Sequence, residues 1–215
     1  MDSYALLIAA TLNAGTVLAI ASLGLLINEK AGIVNLGAEG MMLCAAIAGF
    51  AMVVHTGSDF MGFVAGMGAG ALMAAVFGVL VIWLNTNQYA TGLALSLFGA
   101  GFSAFAGISY VQAKIPERPS FAVPFLSDIP LVGPALFRQH PLVYLTVVFA
   151  LALIWFLYRT RSGLILRSVG ESPESAHALG YPVRWIRLGA VVLGGALCGF
   201  INLSASHGVT TKATA

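Results

Sequence analysis

Six apolar runs, each long enough to cross a bilayer, decide what this chain can fold into. They lie at about residues 4–27, 33–54, 60–84, 89–111, 142–158 and 186–206. A hydrocarbon core of about 30 Å takes roughly 20 helical residues, with about 17 as the short limit. In lipid every backbone N–H and C=O must be satisfied internally, which leaves helices or a closed barrel. Continuous apolar runs select helices, so the expected fold class is an all-α polytopic membrane protein of about six transmembrane helices. Composition agrees: only 8% of the 215 residues are charged, against about 25% in soluble domains. The first run lacks a basic leader and is too long for a signal peptide, so it is expected to stay as a span.

Between the last two runs lies a basic island. Residues 159–187, RTRSGLILRSVGESPESAHALGYPVRWIR, hold Arg159, Arg161, Arg167, Arg184 and Arg187, five of the ten Lys+Arg residues. Basic residues near span ends resist export, so the island is expected in the cytoplasm. The N-terminus and residues 112–140 then lie outside. That outer loop carries Pro116, Pro119, Pro124, Pro130 and Pro134, a density that argues against a span.

Inside the island the spacing predicts one short helix. Ser172 is a good N-cap, and Pro173 fits the first helical position. Glu174 and His177 suit the two ends of the helix dipole. Gly180 reads as a left-handed stop, and Pro182 blocks resumption. Such a short helix is marginal alone and needs a surface to dock on. Leu179, with Ala176 and Tyr181, offers a small apolar contact. A capped connector that only joins two spans is the competing reading.

Polar residues inside the runs are candidates for a solute pathway. Asn13 is expected to face other helices or a cavity, either as pathway or as interhelical glue. In residues 31–43, AGIVNLGAEGMML, the glycines Gly32, Gly37 and Gly40 flank Asn35 and Glu39. Two readings stand. The stretch is a broken helix lining a pathway, or a helix start with Asn35 as N-cap and Glu39 in the first turn. Ser96 and Ser103 could line a polar path, although serine in a span commonly bonds its own helix carbonyls. The third run carries Gly62, Gly66, Gly70, Ala74 and Gly78 at every fourth position, a face that lets a neighbouring backbone come close. A second small-residue face is expected at Gly92, Ser96, Ala100 and Ala104.

Several function classes lack support. The sequence has no Gly-x-x-x-x-Gly-Lys-[Ser/Thr] phosphate loop and no Cys-x-x-Cys or His-x-x-x-His metal spacing. Cys44 and Cys198 fall in apolar runs and read as packing residues. His55, His140, His177 and His207 have no nucleophile at a fixed spacing, so a hydrolase is disfavoured. No basic patch is interleaved with aromatics, so nucleic acid is not an expected partner.

Two stretches carry a family resemblance. NEKAGIVNLGAEGMML, residues 28–43, resembles a motif of the permease subunits of ABC importers for nucleosides and related simple sugars. GLILRSVGESPESAHALGYPV, residues 163–183, resembles the coupling loop of the same family. Within it Glu174-Ser175-Ala176-x-x-x-Gly180 is similar to the pattern Glu-Ala-Ala-x-x-x-Gly, with serine for the first alanine. NTNQYATGLALSL, residues 85–97, is similar as well. The resemblance covers roughly residues 1–200. It implies that Glu171, Ser172, Pro173, Glu174, Ala176, Leu179 and Gly180 form a docking element for a separate cytoplasmic ATP-binding subunit. It also implies a second permease subunit, an extracytoplasmic solute-binding protein and a multi-pass place in the cell (inner) membrane. No cofactor is expected on this chain, because ATP would sit on the partner. Family members continue with further spans, whereas this chain ends in INLSASHGVTTKATA, residues 201–215, of which 207–215 read as a polar tail, so a C-terminally shortened permease is expected. The rival reading is an ion- or proton-coupled carrier or channel that titrates Glu39.

Overall fold

The computed structural model describes residues 2–110 and 141–200, without the side chains of residues 2–10, 12–14, 17 and 141–145. The proline-rich stretch and the polar tail therefore lie outside the described residues. Every regular element among the described residues is a helix. They are α1 (Asp2–Lys30), α2 (Ala38–Thr56), α3 (Asp59–Ile82), α4 (Gln88–Gly107), α5 (Pro141–Arg159), α6 (Arg161–Glu171), α7 (Pro173–Ala178) and α8 (Val183–Phe200).

Among the described residues, four single helices are long and apolar enough to cross a membrane: α2, α3, α4 with the turn after it, and α8. Residues Thr146–Arg159 and Arg161–Glu171 would make a fifth span only as a pair bent by 75°. The 29 residues of α1 reach about 43 Å at about 1.5 Å per residue. Large apolar side chains point outward, as lipid contact requires: Leu97 and Phe105 are 76% and 77% exposed. The chain is thus an all-α polytopic membrane protein.

Helix α8 is the central helix, packed on α1, α2 and α3. Its two faces are thin for different partners. Gly195 and Gly199 meet Gly66, Gly70 and Ala74 of α3, while Gly194 meets Gly24 and Asn28 of α1. The face Gly62, Gly66, Gly70, Ala74 and Gly78 of α3 is buried throughout. A Cβ at Gly66 would stand 2.9 Å from the Gly199 carbonyl oxygen, so only glycine permits this approach. Cores form on either side of α8: Met41, Phe77, Leu95 and Val191 on one, Ile27, Leu157, Leu166 and Ala190 on the other.

The second small-residue face differs from its expected line. Gly92, Leu95 and Gly99 are the buried positions of α4, while Ala100 and Ala104 are exposed. The contact follows a spacing of three and four, which stays on one side of a helix of 3.6 residues per turn.

The island also departs from expectation. It holds two helices, not one. Thr160 ends α5 and starts α6: its hydroxyl donates to the Phe156 carbonyl at 2.6 Å and accepts the Gly163 N–H at 3.1 Å. Gly163 packs directly on the Phe156 carbonyl and Leu157, where no Cβ would fit. Helix α6 therefore folds back, burying Gly163, Leu166 and Val169 and leaving Arg161 and Ser168 exposed.

Candidate functional site

Among the described residues, Lys30 and the arginine-rich island meet at one end of the bundle. Lys30, the strip 31–37, the turn 83–87 and the island share it, as shown by contacts of Gly170 with Lys30 and of Trp83 with Trp185. The two indoles stand edge to face, with centroids 5.4 Å apart. Between α7 and the end of α3 is a cavity of about 780 Å³, lined among others by Ile82, Trp83, Asn85, His177, Arg184 and Arg187.

Helix α7 sits on α6 and on the start of α8. Pro173 occupies its first turn. Its C-terminus closes with two bonds, Gly180 N–H to His177 O at 2.9 Å and Tyr181 N–H to Ala176 O at 3.2 Å. Together with φ +87° at Gly180 this is a Schellman closure, which glycine adopts without strain. Two expectations are corrected. Ser172 stands at the N-cap but caps no backbone N–H. Its hydroxyl donates to the Ser175 hydroxyl at 2.7 Å instead, because φ −144° and ψ 87° turn it toward that side chain. Ala176 is not a partner contact: it is 2% exposed, anchoring α7 to its own chain. Leu179 is 77% exposed, and Glu171, Glu174 and His177 are exposed with it.

The pathway candidates divide. Asn13 lies outside the described side chains. Asn35 is buried, but it is not the N-cap of α2, a place taken by Gly37. Its Oδ1 accepts the Gly37 N–H at 2.9 Å, a turn just before the helix. Its amide donates toward Met41 Sδ at 3.5 Å. Ser96 does not bond its own helix: its hydroxyl donates across to the Leu36 carbonyl at 2.9 Å. Glu39 is exposed in the first turn of α2, where a carboxylate suits the helix N-terminus. A carboxylate buried at mid-membrane depth, the premise of the ion-coupled reading, is not found there. Residues 31–37 do leave the helix, so the break expected in one reading exists. Its polar groups serve structural bonds.

One polar residue escaped the sequence reading. Asn28 belongs to α1, not to a loop, and is fully buried with both amide atoms unpartnered. Its side chain presses on Gly194, and no local signal marks it. Cys44 and Cys198 are free and buried. No group of three His, Cys, Asp or Glu residues that could hold a metal occurs among the described residues.

An all-helical bundle with candidate membrane spans agrees with comparison to known proteins. The family model described as branched-chain amino acid transport system / permease component matches residues 7–205. The chain belongs to this permease family. It is 43% identical over 212 residues to TsgC13 of Haloferax volcanii, a permease protein named for glucose ABC transport, covering 96% of this chain and 63% of that one. It is 31% identical to the nucleoside ABC transporter permease NupC of Lactococcus lactis, covering 93% and 66%. It is 32% identical to the guanosine ABC transporter permease NupQ of Bacillus subtilis, covering 88% and 63%. The permease thus spans 63–66% of the length of these relatives. No solved structure matches.

Proposed function

We propose that this permease is the membrane-spanning subunit of an ATP-driven importer for a nucleoside or a simple sugar. The single observation that carries the reading is α7, a six-residue helix locked from below by Ala176 and closed at Gly180, yet presenting Leu179 to solvent. A connector has no need of an exposed leucine on a fixed helix. A docking knob does: a large apolar side chain held rigid loses little entropy when a groove covers it. The partner is a separate ATP-binding subunit, consistent with the lack of a phosphate loop in this sequence. A second permease subunit completes the membrane pathway, and an extracytoplasmic solute-binding protein delivers the solute. The solute class rests on the relatives named for glucose, nucleoside and guanosine transport.

The test is uptake into vesicles holding the assembled importer, with labelled guanosine and labelled glucose supplied by the binding protein. Uptake of one of them should require enclosed ATP and persist when the proton gradient is dissipated. Uptake driven by a proton gradient without ATP would overturn the reading.

A further inference from the structure

Residues 31–37 join α1 to α2 as turns at 31–32 and 36–37 around an irregular middle, with Ala31, Ile33, Asn35 and Gly37 buried and Gly32, Val34 and Leu36 exposed. Both faces of this strip are clasped. On one side is the segment that carries α7. Arg187 of α8 donates its Nε–H to the Ala31 carbonyl at 3.0 Å. Gly170 of α6 lies directly on the Lys30 carbonyl, with no room for a Cβ. Gly32, at φ +77°, completes the clasp, since a Cβ there would meet the Arg187 guanidinium at 2.8 Å and the Gly170 oxygen at 2.9 Å.

On the other side is α4. The Val34 N–H donates to Gln88 Oε1 at 3.1 Å, and Ser96 holds the Leu36 carbonyl at 2.9 Å. The strip then passes into α2, whose Met41 N–H bonds the Gly37 carbonyl at 3.0 Å. No backbone hydrogen bond joins two residues of the strip to each other, so little inside it resists a shift. Ties at both edges make it follow whichever neighbour moves.

We propose that strip 31–37 carries the movement of the α6–α7–α8 segment to α2 and α4, and that Arg187 is the positioning residue that engages it. This rests on the permease reading above. The guanidinium–carbonyl bond is charge-assisted and half-buried, conditions that strengthen it. Arg187 lines a cavity with Glu174 and His177 of α7, but Leu179, the docking knob, is not part of that lining, so engagement of the strip and docking through Leu179 are separable.

The experiment uses the full-length permease purified with its ATP-binding subunit. Leu36→Cys places a thiol on the strip at a position 44% exposed, while Cys44 and Cys198 are buried at 4% and 0%. The rate of maleimide labelling is read with and without ATP trapped on the partner. In an otherwise wild-type background the rate should change at least about fivefold, the low end of ordinary coupling between sites. Arg187→Met should abolish that change while retaining the ATP-binding subunit, and Arg187→Lys, which keeps a cationic donor of similar reach, should recover part of it. A nucleotide-dependent change that survives in Arg187→Met at full size overturns the inference, as does its absence in the wild-type background. Loss of the ATP-binding subunit from the wild-type permease overturns the importer reading, and this inference with it. Where Arg187→Met fails to fold, Gln88→Leu cuts the tie on the α4 side, and the same outcomes decide.

Discussion

Gly70→Ala tests the contact between α3 and α8 with a single added methyl. A Cβ at Gly70 would lie on the Gly195 carbonyl oxygen and 3.1 Å from Gly199 Cα and N. All three atoms are backbone, so no rotamer change can make room and the helices must separate. Overpacking of this kind costs about 1–3 kcal/mol. Alanine is also a better helix former than glycine by about 0.8–1.0 kcal/mol, which blurs the result for one variant alone. Gly68 supplies the control. It lies two residues away on the same helix, exposed, with nothing within 4 Å of its would-be Cβ. The propensity gain is common to both variants and cancels in their difference. Gly70→Ala should therefore be less stable than Gly68→Ala by about 1–3 kcal/mol. At about 2–4 °C per kcal/mol for a chain of this size, the gap in Tm is about 2–12 °C. The assay is thermal unfolding of both variants in the same detergent, followed by intrinsic tryptophan fluorescence. Equal midpoints would refute the claim that the glycines of α3 seat α8.

Two further expectations follow from the basic end. Thr160→Val removes the bond that caps α6 and should cost about 0.5–2 kcal/mol, whereas Ser172→Ala, which breaks only a bond between two exposed hydroxyls, should cost less than about 0.5 kcal/mol; denaturant unfolding of the pair checks the order. A reporter active only in the cytoplasm should be active when fused after Ser168 and silent when fused at Ser120, and the reverse pattern would invert the orientation taken from the basic island.

The parts of this fold legible in the sequence are those governed by one periodicity or by strong end signals. The apolar runs marked helices, since lipid leaves few alternatives, and among the described residues four of these helices, or five with the bent pair, are long and apolar enough to span, against the six expected. The fourfold spacing of Gly62, Gly66, Gly70 and Gly78 marked a packing face, since small residues at that spacing share one side of a helix. Gly180 marked the end of α7 because a left-handed residue was needed there. Helix α6 was missed for a physical reason. It alternates Arg161 and Arg167 with Leu164 and Leu166, a pattern that reads as a charged loop until Thr160 is recognised as a cap that serves two helices at once. The strip 31–37 stayed ambiguous because glycine is compatible with both a broken helix and a helix start. Ser96 and Asn35 were named as pathway candidates, but the bond between Ser96 and the strip depends on where α4 lies beside it, a long-range fact. Asn28 had no signal at all: an amide at the end of an apolar run, next to Glu29 and Lys30, resembles a loop residue.

The central claim is that α7 docks a separate ATP-binding subunit through Leu179. The most direct measurement is the amount of that subunit retained on the detergent-purified permease, wild type against Leu179→Asp. Leu179 is 77% exposed, so the substitution should leave the thermal midpoint of the permease unchanged. A carboxylate buried in an apolar groove without a partner costs several kcal/mol, so retention should fall at least about tenfold, the equivalent of 1.4 kcal/mol. Equal retention by the two proteins would contradict the account.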